Sequence, residues 1–335
     1  MRFAFDDDAM AFRAAVRDLL DKECGPPQVR AAWESDTGFS SDRWRKLADM
    51  GVVGITVPED HGGLGLDEVG LVLLLEEAGR AALPEPLIET SAVAAPLLAA
   101  LAPDCLTGLA DGDTVWSVGL AAAPAVSAAP AADRLVVERE GALHVVARDK
   151  ARLSMVQSVD HGRRLASVDF DPAASTVIAD GDAARDAIAL AFDRYAWASS
   201  AVLCGLAERM LELAADYAKQ RHQFGVPIGS FQAVKHKLAD ALVKLDFARP
   251  VVHRAAFSIA HRDADRSVHV SMAKAYASEA ADLAARAALQ VHGAIGYTWE
   301  HDLHLFMKKA WALSAAWGDA AWHRRRVADA VLPVG

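Results

Sequence analysis

The sequence predicts an α+β chain that is mostly α, with a helical N-terminal part, a small middle β part and a C-terminal four-helix bundle. Three observations carry this. Apolar residues recur at helical spacing up to residue 112, short β-branched runs bounded by turn residues occupy 113–182, and long alanine-rich helical periodicity returns over 183–335. The 335 residues suffice for two or three domains, and a chain of that size buries roughly three quarters of its unfolded surface. The domain boundaries are accordingly placed at 1–112, 113–182 and 183–335.

The first helix is predicted over 9–22 from the spacing of Phe12, Val16, Leu19 and Leu20. A second covers 41–50, capped by Ser40 or Ser41. The glycine-rich loop at 57–65 leads into a helix over 67–82, and Pro84 and Pro86 separate it from another at 88–102. Strands are predicted at 115–118, 134–138, 143–147 and 165–170, with Glu140-Gly141 closing a hairpin. The alanine-rich stretch 121–132, with Pro124 and Pro130, reads as loop. Helices then follow over 193–221, 230–260, 266–291 and 302–330, with Pro250 expected to kink or restart the second of them. Nine alanines crowd 273–288. Such small side chains allow close approach on more than one helix face, which predicts a subunit interface and a dimer or tetramer.

Composition excludes several classes. The net charge of −10, with no basic patch interleaved with aromatics, argues against nucleic acid as a partner. The cluster His323-Arg324-Arg325-Arg326 is expected to be a solvated last helical turn. No apolar run reaches the roughly 18 residues of a membrane span; the nearest, 91–102, is interrupted by Pro96. Cys24, Cys105 and Cys204 are scattered and odd in number, as in a reducing cytoplasm. The acidic Asp6-Asp7-Asp8 lacks the order of a secretion signal. His301 and His304 share a face at three-residue spacing, yet no third ligand is evident and no metal is expected.

Residues 217–232 say most about function. A helical run ends near Arg221, and Gly225, Pro227 and Gly229 break the chain within five residues. Ser230 is placed to cap the next helix. The turn presents a permanent cation, an amide and an aromatic ring beside a helix N-terminus, which suits a phosphate or pyrophosphate. The alternative is a solvated helix end. A second loop, 290–299, places Gly293 and Gly296 where a ligand's backbone-sized groups can approach; both glycines equally suit a plain helix terminus.

Together the two stretches resemble the two flavin motifs of the acyl-CoA dehydrogenase family, and the glycine-rich run at 51–66 resembles that family too. The three lie in the family's order, and helix–strand–helix is the order of its fold. The resemblance covers the N-terminal third and the C-terminal half well and the middle poorly. It implies α,β-dehydrogenation of an acyl-CoA thioester: a carboxylate takes the proton beside the carbonyl, and the β-carbon hydride passes to FAD. By resemblance Arg221 meets the FAD pyrophosphate, Gln223 and Phe224 its adenosine side, and Gln290 and Gly293 the ADP portion, all on the flavin of a neighbouring subunit. Ala294 stands where the family usually has a second glycine.

The other half of the site departs from the family. Its Thr-Glu-Pro-type flavin cover is replaced by apolar residues 119–126, unless backbone amides still serve. The two family positions for the catalytic glutamate hold Trp317 and Tyr195, neither a carboxylate. Asp319 is the candidate for a relocated base, with a helix cap or flavin neighbour as the alternative, and Glu300 is expected to set the start of the final helix. The pattern resembles the smaller subunit of split α2β2 acyl-CoA dehydrogenases, which include enzymes for steroid-derived CoA thioesters. The alternatives are a self-sufficient homo-oligomer with a relocated base, and a flavin-free scaffold of the same fold.

Overall fold

The computed structural model describes residues 4–332. Helix α1 (Asp7–Glu23) is capped by Asp6, which accepts from the backbone N–H of Ala9, and buries Val16 and Leu20. Gly25 and two prolines start a short α2 (Pro26–Glu34), absent from the sequence expectation because its apolar stripe is only Val29, Ala32 and Trp33. Ser40 caps α3 (Ser41–Asp49), and Asp67 caps α4 (Glu68–Arg80). The helix expected over 88–102 is in fact a wider π-type segment, Ile88–Ala94, running into α5 (Ala95–Leu101).

The middle sheet has the order β1-β2-β3-β6, built from β1 (Trp116–Gly119), β2 (Arg134–Arg139), β3 (Ala142–Ala147) and β6 (Thr176–Ala179). β1 and β2 are parallel, and the other neighbours antiparallel. Glu140 and Gly141 join β2 to β3 with φ of 52° and 79°, the left-handed pair of a tight hairpin. A separate hairpin pairs β4 (Ala151–Val156) with β5 (Leu165–Phe170). Strands β4 and β6 were not expected: β4 is largely exposed, and β6 is four residues long.

Helix α6 (Gly181–Gln220) is the axis of the molecule and starts twelve residues before the expected 193. Its stretch from Tyr195 to Ala207 is wholly buried, between α4 on one side and α7 (Gln232–Ala260) and α8 (Arg266–His292) on the other. The α4–α6 crossing is as close as backbones permit. A Cβ on Gly205 would lie 1.8 Å from the Glu76 carbonyl, and one on Gly79 would lie 2.1 Å from that of Val202.

Four expectations change. Pro250 does not restart the helix: α7 runs unbroken through it from Gln232 to Ala260. The helix expected over 302–330 is two, α9 (Leu303–Ala315) and α10 (Ala320–Val331), separated by a turn at Trp317 and Gly318. The basic cluster therefore opens α10, with His323 buried and Arg326 paired to Asp193 at 3.1 Å. The alanines of α8 are all buried within the chain's own bundle. Their small size serves the α6–α8 contact, and they do not face outward as an interface.

Apolar exposure instead lies elsewhere. Leu242, Val243 and Phe247 of α7 and Met272, Tyr276 and Leu283 of α8 face solvent, Phe247 at 68%. No described helix is long and apolar enough to cross a membrane. The three cysteines are unpaired, Cys24 and Cys204 being buried.

Candidate functional site

The Arg221 turn forms where α6 runs out. The Arg221 N–H still donates to the Tyr217 carbonyl at 2.8 Å, and the chain then folds into a miniature hairpin of β7 (His222–Gln223) and β8 (Val226–Pro227). Phe224 and Gly225 at its tip have φ of 51° and 81°, the two left-handed residues that a two-residue hairpin demands. Phe224 is 92% exposed and meets Phe231 edge-on at 6.2 Å. Gln223 is exposed, its Nε2 donating to the His222 carbonyl. The Arg221 guanidinium is exposed and forms no ion pair among the described residues. Ser230 does not cap α7. Its hydroxyl donates to the Pro227 carbonyl at 2.7 Å, because the helix starts only after Phe231.

The second loop follows α8. Gly293 has φ 64° and ψ −142°, and a Cβ there would meet nothing within 4 Å, so its backbone borders open space. Gln290 and Ala294 are exposed. Tyr217, one turn before Arg221, stacks on His292 at 4.5 Å. That contact sets the two loops side by side. A free guanidinium on the first loop and an open glycine backbone on the second are groups that suit the phosphates of a dinucleotide such as FAD. Arg221, Gln223 and Phe224 lie on the first loop, and Gln290 and Gly293 on the second.

The two residues that the resemblance put at base positions pack against each other. Trp317 and Tyr195 stack on each other, with ring centroids 3.9 Å apart and planes 9° from parallel. The Tyr195 hydroxyl donates to the Val118 carbonyl at 2.7 Å, and burial pushes the phenol well above its ordinary range. Trp317 is buried at a φ of 59°, a strained choice for a bulky residue. Two groups from below hold this turn. Lys274 Nζ donates to the carbonyls of Gly318 (3.1 Å) and Ser314 (3.0 Å) and to Ser278 Oγ (3.3 Å). His323 Nε2 donates to the Trp317 carbonyl at 2.9 Å, leaving Nδ1 to accept from Ser271. Burial, with the Arg163 charge, lowers the Lys274 ammonium to about 7. Burial lowers His323 to about 4.

Asp319 accepts from the Trp322 N–H at 2.7 Å and caps α10. Glu300 does not start α9. Its carbonyl accepts from Arg30, and Asp302 at the helix start pairs with Arg30 at 2.6 Å. His304 Nε2 donates to the Trp299 carbonyl and His301 Nδ1 accepts from the Leu303 N–H.

Glu85, Glu89, Arg163, Lys309 and Ser127 line a small cavity of about 30 Å³, room for about two or three waters. In the 121–132 loop the backbone N–H groups of Ala121, Ala123, Val126 and Ala128 are all bonded within the chain, Ala121 to Glu138 Oε2 at 2.8 Å. They are not left over to hold a ligand. Sequence reasoning missed Lys274, His323 and the Tyr217–His292 stack. The one available signal was a lysine set in the alanine run at a buried helical position.

The chain matches the families described as Acyl-CoA dehydrogenase, N-terminal domain, over residues 6–104 and Acyl-CoA dehydrogenase, C-terminal domain, over residues 185–332. It is similar to acyl-CoA dehydrogenase IpdE2 of Mycobacterium tuberculosis (strain ATCC 25618 / H37Rv), with 37% identity over 307 residues covering 91% of each chain. Acyl-CoA dehydrogenase FadE34 of the same organism is 31% identical over 347 residues, which cover 96% of this chain and 47% of the relative. Among solved structures, a Tcur3481–Tcur3483 steroid ACAD variant agrees with a TM-score of 0.87 at 25% identity, covering 96% of this chain and 97% of the other. The ChsE4–ChsE5 complex from Mycobacterium tuberculosis agrees at 0.85 and 24% identity over the whole of both chains. The chain belongs to the FAD-dependent acyl-CoA dehydrogenase family.

Proposed function

We propose that this chain is the subunit of a heteromeric acyl-CoA dehydrogenase that carries no base and completes the FAD site of a paralogous partner, in a complex acting on bulky, steroid-derived CoA thioesters. The observation that carries this reading is the Trp317–Tyr195 stack, which fills both base positions with rings and points no carboxylate at the pocket. The names of its relatives support it as well, one being a steroid ACAD and another a two-component complex.

When bound, FAD supplies the hydride acceptor. In this reading the chain's own residues bind and orient. The Arg221 fork takes the pyrophosphate, Gln223 and Phe224 border the adenosine side, and Gln290 with the Gly293 backbone lines the ADP portion. The partner supplies the carboxylate and the donors around the thioester oxygen. The exposed apolar residues of α7 and α8 form part of the subunit contact.

The test compares the chain alone with the chain co-expressed with a paralogous subunit, scoring bound FAD and turnover of acyl-CoAs, steroid-derived ones included. Turnover only in the co-expressed complex is expected. Brisk turnover by the chain alone, abolished by Asp319→Asn, would establish the self-sufficient enzyme. A complex without flavin would establish the scaffold.

A further inference from the structure

A groove of about 350 Å³ opens between α5, the first half of α6 and the α7–α8 connection. Pro96, Leu97, Leu101 and Leu190 form its apolar floor, and Arg194, Arg262 and Arg266 stand around it. The flavin loops take no part in it.

The three guanidinium groups differ in how they are held. Arg194 donates through Nε to Glu68 at 2.7 Å. Arg266 lies 3.3 Å from the buried Asp193 carboxylate through its own Nε. Each is thereby oriented from behind, while its terminal amino groups find no acceptor among the described residues. Arg262 ends α7 in the left-handed region, with φ 51°, is exposed, and forms no ion pair among the described residues. A guanidinium carries five donors in a planar fork that matches a carboxylate. Donors already fixed by other contacts lose little entropy on binding. Asp186 also lines the groove. With Glu68 and Asp193 offsetting Arg194 and Arg266, Asp186 leaves the groove without the excess positive charge that a dianion such as phosphate would need. The apolar floor asks for a hydrocarbon body beneath a carboxylate head.

We propose that this groove binds a small amphipathic monocarboxylate, its head on Arg262 beside Arg266 and Arg194, its body on Leu97, Leu101 and Leu190. The site is separate from the flavin loops, so the proposal stands or falls apart from the reading of the chain as a partner subunit.

The test is calorimetric titration of the full chain with octanoate, octan-1-ol, acetate and inorganic phosphate. Saturable binding of octanoate is expected, with octan-1-ol, acetate and phosphate each at least about tenfold weaker. Arg262→Ala should weaken octanoate about tenfold, the size of one lost charge-assisted contact, and Arg262→Lys should restore part of it. Ala187→Trp, which fills the groove, should abolish binding without altering FAD content. Equal binding of octan-1-ol would overturn the role of the arginines, and equal binding of phosphate would overturn the carboxylate class. Octanoate binding unchanged by both Arg262→Ala and Ala187→Trp would place the ligand elsewhere and end the proposal.

Discussion

Trp317→Ala tests the packing at the centre of the functional reading. The Trp317 ring is buried, stacks on Tyr195 at 3.9 Å and meets Phe192 edge-on at 6.0 Å. Truncating a buried tryptophan to alanine removes about 3–5 kcal/mol of stability, of which ~0.5–1.5 kcal/mol belongs to the aromatic geometry. The backbone separates alanine from glycine at this position. At φ 59° every residue with a Cβ bears about 1–2 kcal/mol of strain, and alanine keeps it whereas glycine does not. Glycine's greater freedom in the unfolded chain returns about 0.5–1 kcal/mol of that. Trp317→Gly should therefore be as stable as Trp317→Ala or up to about 1.5 kcal/mol more so, reversing the usual order of the two residues. The assay is urea unfolding of the three proteins, with acyl-CoA turnover measured alongside. A loss below about 1 kcal/mol for Trp317→Ala would show that the stack is not a packed element. A glycine variant clearly less stable than the alanine variant would refute the strain argument. Turnover appearing in either variant would show that the ring was blocking a competent site and was not standing in for a missing base.

Three further outcomes are expected. Arg221→Ala should reduce FAD retention about tenfold or more through loss of a charge-assisted contact, with Arg221→Lys rescuing only partly; unchanged flavin content by absorbance would remove Arg221 from the site. Lys274 titrates near 7 in the folded chain, below its ordinary value in the unfolded one. Between those values the unfolded chain binds the extra proton, so this group makes stability rise with pH from about 7 towards about 10. Lys274→Met should remove that rise, read as the wild-type-minus-variant difference in urea midpoint at pH 6.5 and 9, since the buried thiols of Cys24 and Cys204 act in the opposite sense above about pH 8.5; a difference independent of pH would contradict it. Phe247→Asp, a charge on the exposed apolar face of α7, should shift the assembled protein towards monomer by light scattering while leaving the helix content intact.

Much of the architecture was legible in the sequence because it rests on local pattern. The period-3.6 stripe of Val16 and Leu20, the Ser40 cap and the Glu140-Gly141 hairpin are each settled within a few residues. Arg221 and Gly293 stand at helix ends and glycine turns that announce themselves locally, and Gln223, Phe224 and Gln290 are named by resemblance to the flavin motifs of the family. The stacking of Tyr195 on Trp317 joins residues 122 positions apart in the chain; the family resemblance assigned both to one site, but that their rings stack is decided by packing alone. The same holds for Lys274 beneath Gly318 and for Tyr217 against His292, which are contacts between helices whose relative height only packing decides. The alanines of α8 show the limit most directly. Small residues permit close approach, but whether to a sister helix or to another subunit depends on which faces the rest of the bundle has already covered. Here α6 covers the alanine face, and the large apolar side chains of α7 are left outside. Local chemistry determined the elements, the turns and the identity of the groups available. Tertiary packing decided which of those groups meet and which face solvent, because burial is a property of the whole assembly of helices and not of any one stretch of chain.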